Sequence, residues 1–130
     1  MPETPRPTDV RLKKISRILE ISFEDGSRYE LPCEYLRVYS PSAEVQGHGP
    51  GQEVLQVDKE RVNIDSIEPV GTYAVTLKFD DGHDTGIYSW KYLYELAANH
   101  GRNWQRYLDR LAEAGHVRVP QPYDDKMKDG

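Results

Sequence analysis

The sequence predicts a small α+β fold: an antiparallel sheet of about four or five strands built from hairpins, one short helix after the first hairpin, and two C-terminal amphipathic helices. Three observations carry this expectation. Apolar residues alternate around two Asp-Gly turns, Glu24-Asp25-Gly26-Ser27 and Asp80-Asp81-Gly82, which is the pattern of half-buried hairpin strands. From Ser89 onward the apolar residues change to helical spacing. A length of 130 residues suits one domain, which buries roughly two-thirds of its unfolded surface.

Each element follows from local chemistry. Between Ile15 and Phe23, Leu19, Ile21 and Phe23 alternate with Glu20 and Ser22, the period of a strand with one buried face. Gly26 accepts the positive φ of the turn, and Arg28 to Leu31 returns as the partner strand. Pro32 to Val38 suits a short helical turn, since proline is tolerated at a helix start. Tyr39 to Gln52 holds Gly47, Gly49, Pro50 and Gly51 without an apolar period, which predicts a long loop and a first place to look for function. Arg61 to Val70 reads as a strand with Pro69 marking an edge or a bulge. Tyr73, Val75, Leu77 and Phe79 form the clearest alternation, and His83 to Tyr88 returns after the turn.

Ser89 is placed to cap a helix in which Trp90, Leu93, Tyr94, Ala97 and Ala98 share one face. Gly101 is expected to end it. Asn103 then caps a second helix carrying Trp104, Tyr107, Leu108, Leu111 and Ala112, closed by Gly115. Both tryptophans are expected in the core. Phe23-Glu24-Asp25-Gly26-Ser27 and Phe79-Asp80-Asp81-Gly82-His83 form an internal echo, each ahead of a strand and a helix. Residues 1–10 and 120–130, proline-rich and polar respectively, are expected to be disordered tails around an ordered domain of 11–119.

Composition excludes several classes. The net charge of -5 argues against nucleic-acid binding by bulk charge, and Arg11, Lys13, Lys14, Arg17, Arg102, Arg106 and Arg110 read as solvated faces. No apolar run spans a bilayer and no secretory signal opens the chain, so no membrane role and a cytoplasmic location are expected. A single cysteine, Cys33, excludes an internal disulfide and a single-chain four-thiolate cluster.

Catalytic signatures are lacking. No His-x-Asp or His-x-Glu pair begins an iron-binding facial triad: His83 is followed directly by Asp84, and none of His48, His100 or His116 has an acid two residues on. Ser40 and Ser42 lie outside a Gly-x-Ser-x-Gly elbow, and Gly47-His48-Gly49-Pro50-Gly51 is no phosphate loop. The chain is expected not to be an enzyme, with no catalytic or cofactor-binding residues.

The stretch Leu36-Arg37-Val38-Tyr39-Ser40-Pro41-Ser42-Ala43-Glu44-Val45-Gln46-Gly47-His48-Gly49, with Phe79-Asp80-Asp81-Gly82-His83 and Gly86-Ile87-Tyr88-Ser89-Trp90, resembles the gamma-butyrobetaine hydroxylase-like N-terminal domain family. The likeness runs from about Arg11 to about Arg118. It implies a non-catalytic accessory or protein-interaction domain, found alone, ahead of 2-oxoglutarate and iron dependent oxygenases, or attached to iron–sulfur carriers. The resemblance also implies a structural zinc in the hydroxylase branch, held by a Cys-Pro-Cys-x-x-Cys segment and a later histidine. Those cysteine positions align with Ser40, Ser42 and Val45 here, and the histidine with His83. Without thiolates the zinc is expected to be lost.

The expected partner is an unidentified protein, bound through Arg37, Tyr39, Ser40, Ser42, Glu44, Gln46, His48 and His83. Arg37 is expected to anchor loop carbonyls or Glu44, or to pair with an incoming acid. The alternative reading is a domain that binds iron or zinc and is linked to iron–sulfur cluster assembly, with His83, His48 and Glu44 as candidate ligands.

Overall fold

The computed structural model describes residues 4–47 and 53–127. They form two three-stranded antiparallel sheets and four α-helices, an α+β architecture. The first sheet has the order β1 (Pro7–Lys13), β2 (Ile18–Phe23), β3 (Arg28–Pro32), followed by α1 (Cys33–Val38). After a short α2 (Ala43–Gln46), the second sheet has the order β4 (Ile64–Val70), β5 (Ala74–Phe79), β6 (Ile87–Ser89). Helices α3 (Trp90–Ala98) and α4 (His100–Glu113) follow, then a 3-10 turn over Pro122–Met127.

The architecture is thus richer than one sheet of four or five strands. Strand β1 starts at Pro7, inside the stretch expected to be a tail, because it pairs with β2 from Pro7↔Phe23 to Lys13↔Ile18. The 3-10 turn likewise occupies the expected C-terminal tail and buries Tyr123 in the core. Its phenol oxygen lies 2.6 Å from both the Glu34 carboxylate and the Glu60 carbonyl, within reach of either acceptor for its single proton. Tertiary contacts of a few residues order segments that have no periodic pattern of their own.

The echo in the sequence is an echo in structure. Each sheet is a three-strand meander whose last strand runs into a helix. Phe23 N–H donates to the Ser27 carbonyl at 2.9 Å, and Phe79 N–H to the His83 carbonyl at 3.0 Å. Gly26 and Gly82, with φ of 87° and 88°, take the left-handed conformation that side chains resist. Pro69 sits on β4, an edge strand of its sheet as its missing N–H requires, while the register shift lies between Ile64 and Ser66.

One buried cluster unites the layers, drawing Leu19, Ile21, Leu31, Leu77 and Phe79 from the sheets and Tyr35, Leu36, Leu93, Trp104 and Tyr107 from the helices. Trp90 is only partly buried and packs against this cluster, its indole N–H donating to the Thr72 carbonyl at 2.9 Å. Ser89 caps α3 by accepting the Tyr92 N–H. The second cap differs from expectation: α4 begins at His100, so Gly101 and Asn103 lie inside it. Asn103 instead donates its amide to the Tyr35 hydroxyl at 3.0 Å. Gly115, φ 77°, closes α4 with the paired hydrogen bonds Gly115 N–H to Ala112 and His116 N–H to Leu111.

Helix α1 is the hub, since all six of its residues are buried. It includes Cys33, whose thiol burial pushes up to about 12, which leaves it protonated and unreactive at neutral pH. Among the described residues no helix is long and apolar enough to cross a membrane.

Candidate functional site

The expected site residues gather where α1 and its following segment meet the turn between β5 and β6. Arg37 leaves the end of α1 and its Nε donates to Asp81 Oδ2 at 2.8 Å. Lys59 Nζ reaches the same oxygen at 2.6 Å, and Asp81 Oδ1 accepts the His83 N–H at 3.2 Å. Burial works against the Asp81 charge, but Lys59, the His83 N–H and Arg37 outweigh it and hold the carboxyl below its usual range. Arg37 therefore anchors the second hairpin, rather than loop carbonyls or Glu44. Its Nη1 is buried without a partner among the described residues.

Beside this pair a second chain of contacts runs from Glu44 through His83 to Ser40. Glu44 Oε2 lies 3.2 Å from His83 Nδ1, and Ser40 Oγ lies 2.8 Å from His83 Nε2. A carboxylate only accepts, so the Nδ1 carries the proton and Nε2 accepts from the Ser40 hydroxyl. Burial first, then the Arg37 charge, lowers the His83 pKa against the opposing pull of Glu44 and Asp81, so the imidazole is neutral at pH 7. Ser40 Oγ also accepts the Ser42 N–H at 3.2 Å. Ser42 Oγ meets Thr85 Oγ1 at 2.8 Å and accepts the Glu44 N–H at the start of α2. Hydroxyl chemistry thus ties the 40–44 segment to the β5–β6 connection.

The order Ser–His–Glu is that of a hydrolase relay, yet its serine is enclosed. Ser40 exposes 0% of its surface, and a Cβ on Gly86 would stand 2.5 Å from its Oγ. A hydroxyl so covered offers no line of approach to an acyl carbon. The relay works here as a structural tie.

The positions at which the resemblance implies zinc ligands are Ser40, Ser42, Val45 and His83, and this set does not fit the ion. Ser40 and His83 bond each other, Ser42 bonds Thr85, and Val45 is buried and apolar. Zinc needs thiolate, imidazole or carboxylate donors, usually four. Among the described residues no group of three or more His, Cys, Asp or Glu is placed to hold a metal. His48 lies outside the described residues.

The remaining candidates border a cleft of about 560 Å³. Val38, Tyr39, Val45, Gln46 and Gly47 form one side, Tyr92 of α3 with Arg106 and Arg110 of α4 the other, and Glu53 and Val54 complete it. Ser40 borders it without exposing surface. The Tyr39 hydroxyl donates to the Asn103 carbonyl and the Tyr92 hydroxyl to the Tyr39 carbonyl, each at 2.6 Å. Burial pushes both phenols upward, Tyr92 to about 12. They are fixed wall, with their protons committed. The sequence reading places Arg106 and Arg110 on a solvated face and gives Tyr92, Asp81 and Thr85 no site role. Their contribution depends on α4 lying against the 38–47 segment, which no local pattern encodes.

Comparisons with known proteins bear on the family and the fold. The gamma-butyrobetaine hydroxylase-like, N-terminal family matches residues 10–94. The chain belongs to this family. Two solution structures determined by NMR resemble it, one at 56% identity over 93% of this chain and 92% of the other with a TM-score of 0.78. The second has 47% identity over 92% and 94% of the two chains and a TM-score of 0.77. A crystal structure of a DUF971 family protein of unknown function from Acidithiobacillus ferrooxidans is 40% identical over 72% of this chain and 93% of that one, with a TM-score of 0.61. No curated protein sequence matches the chain. The family match ends at Tyr94, so α4, which carries both cleft arginines, lies beyond the part of this gamma-butyrobetaine hydroxylase-like domain that the match covers.

Proposed function

We propose that this domain is a non-catalytic accessory module that binds a protein partner through the cleft between the 38–47 segment and helices α3 and α4. The observation that carries the reading is the cleft itself, about 560 Å³ with valine and tyrosine walls and two arginines on one side. Mostly apolar concavities with a few placed polar groups are the usual form of binding sites. The buried ties behind it, Arg37 to Asp81 and Ser40 to His83, hold the wall in shape before a partner arrives, which lowers the ordering cost of binding. In this reading Tyr39 and Gln46 meet the partner, while Arg37, Ser40, Ser42 and His83 act behind the surface.

The family resemblance implies an oxygenase or an iron–sulfur carrier as the class of partner. The module is proposed to work without a bound metal, because the serine hydroxyls and His83 are engaged with one another. Protein purified without chelator is expected to carry far less than one zinc or iron per chain.

Photocrosslinking tests the docking face. A benzoylphenylalanine in place of Gln46 should capture one discrete protein species in the native cell, and the same probe in place of the exposed Glu68 on β4 should not. Adding Arg106→Glu and Arg110→Glu should abolish the capture. Equal capture from both positions, or capture indifferent to the two arginines, overturns the cleft as the docking face.

A further inference from the structure

Resting on that docking face, we propose that its occupant is an extended acidic segment of a protein partner, with carboxylates at alternate residues set against Arg106 and Arg110. Few hydrogen-bond donors in the cleft are still available to a ligand. Both phenols have committed their protons to backbone carbonyls, and the Ser40 hydroxyl is engaged with His83. Arg106 has no carboxylate within ion-pair distance among the described residues, and Arg110 makes one long contact, Nη2 to the Glu53 carbonyl at 3.3 Å. Asp109, the acid between them in sequence, accepts instead from Gln105 at 3.0 Å. What the α3–α4 side offers a ligand is therefore guanidinium N–H donors, and the matching ligand supplies acceptors carrying negative charge.

Spacing selects the form of that ligand. Arg106 and Arg110 are one helical turn apart, about 6 Å along the axis of α4 at about 1.5 Å per residue. In an extended peptide, residues i and i+2 point to the same side about 6.6 Å apart. An acid-x-acid strand lying along α4 thus brings one carboxylate to each arginine. Its intervening side chain faces the other way, toward Val38, Val45 and Val54, where an aliphatic residue fits. Arg102, a further turn toward the start of α4 and exposed, with Nη2 on Asn99 Oδ1 at 2.9 Å, extends the line for a third acid. The chain as a whole is at -5, so this positive row is local and gives direction to an acidic partner.

The test uses the full chain and two synthetic labelled pentapeptides, Glu-Val-Glu-Val-Glu and Gln-Val-Gln-Val-Gln, both blocked at their ends. Fluorescence anisotropy reads affinity, and amide shifts in the NMR spectrum read location. The acidic peptide should bind at least about tenfold tighter than the amide peptide, equal to about 1.4 kcal/mol. Binding should weaken by a similar factor between low salt and about 0.3 M salt. Arg106→Gln with Arg110→Gln should abolish the preference, with shifts centred on Tyr39, Gln46, Arg106 and Arg110. Glutarate, a free dicarboxylate, should fail to compete at equal carboxylate concentration, since it lacks the aliphatic contact. If both peptides bind the cleft equally, the acidic specificity is wrong while the docking face stands. If glutarate competes as well as the peptide, the cleft takes a small dicarboxylate and the peptide assignment is wrong. If the acidic peptide binds elsewhere or not at all, the acidic-segment proposal fails, and the Gln46 crosslink then decides the docking face separately.

Discussion

Replacing Arg118 by Ala tests whether the C-terminal segment is fastened to the core by charge. Glu34 is 1% exposed, and its carboxylate receives Arg118 through Nη2 at 2.6 Å and Nε at 2.9 Å. Arg118 also reaches Asp124 at 2.8 and 3.0 Å and lies 4.9 Å from the Trp104 ring centroid. Removing the guanidinium leaves a buried carboxylate with the Tyr123 hydroxyl at 2.6 Å as its remaining described hydrogen-bond donor. Breaking a buried pair from one side costs about 3–5 kcal/mol, and loss of the ring contact adds about 1 kcal/mol. With an m-value of about 2 kcal/mol/M for a domain this size, the urea midpoint should fall by about 2–3 M. The paired change Glu34→Gln with Arg118→Met removes both charges together and should recover about half of the loss or more. Urea denaturation followed by tryptophan fluorescence reads both variants. A loss below about 1 kcal/mol for Arg118→Ala, or a double variant that is merely the sum of two single ones, refutes the reasoning.

Two further outcomes concern the site and its support. Gly86→Ala places a methyl 2.5 Å from Ser40 Oγ and 3.1 Å from the Tyr88 ring, so it should cost about 1–3 kcal/mol by overpacking; a thermal midpoint unchanged within error would show that the Ser40–His83 tie can move aside. His100 is buried against Tyr35, ring centroids 4.4 Å apart, and burial lowers its pKa to about 4. Its folded pKa lies below the unfolded value of about 6.5, so its contribution is present above that value and is lost as pH falls toward about 4, by an amount on the order of 3 kcal/mol. His100→Phe should flatten this part of the stability–pH curve, read by urea midpoints across the window; an unchanged slope would exclude His100 as its source.

Much of the scaffold was legible because it is local. The Asp-Gly turns, the alternation through Leu77 and Phe79, the Ser89 cap and the helical stripe of Trp104, Tyr107 and Leu111 each follow from neighbours within a few positions. Arg37 was marked by its place at the end of α1, and His83 by its turn. Their partners were not legible: Asp81 and Ser40 lie 44 and 43 residues away, and pairing at that separation is set by how the sheets and helices pack.

The sequence by itself determined the hairpins, the helices and the absence of thiolates at Ser40, Ser42 and Val45, since backbone conformation and ligand chemistry are properties of short stretches. Only the tertiary structure decided that two meanders form two sheets, that residues 7–10 and 122–127 are ordered, and that Ser40 and Ser42 are buried ties instead of exposed loop residues. It alone also set α4 against the 38–47 segment, turning two arginines of an apparently solvated face into one side of a cleft. The physical reason is that burial and charge pairing depend on which surfaces meet, and these meetings join residues scores of positions apart.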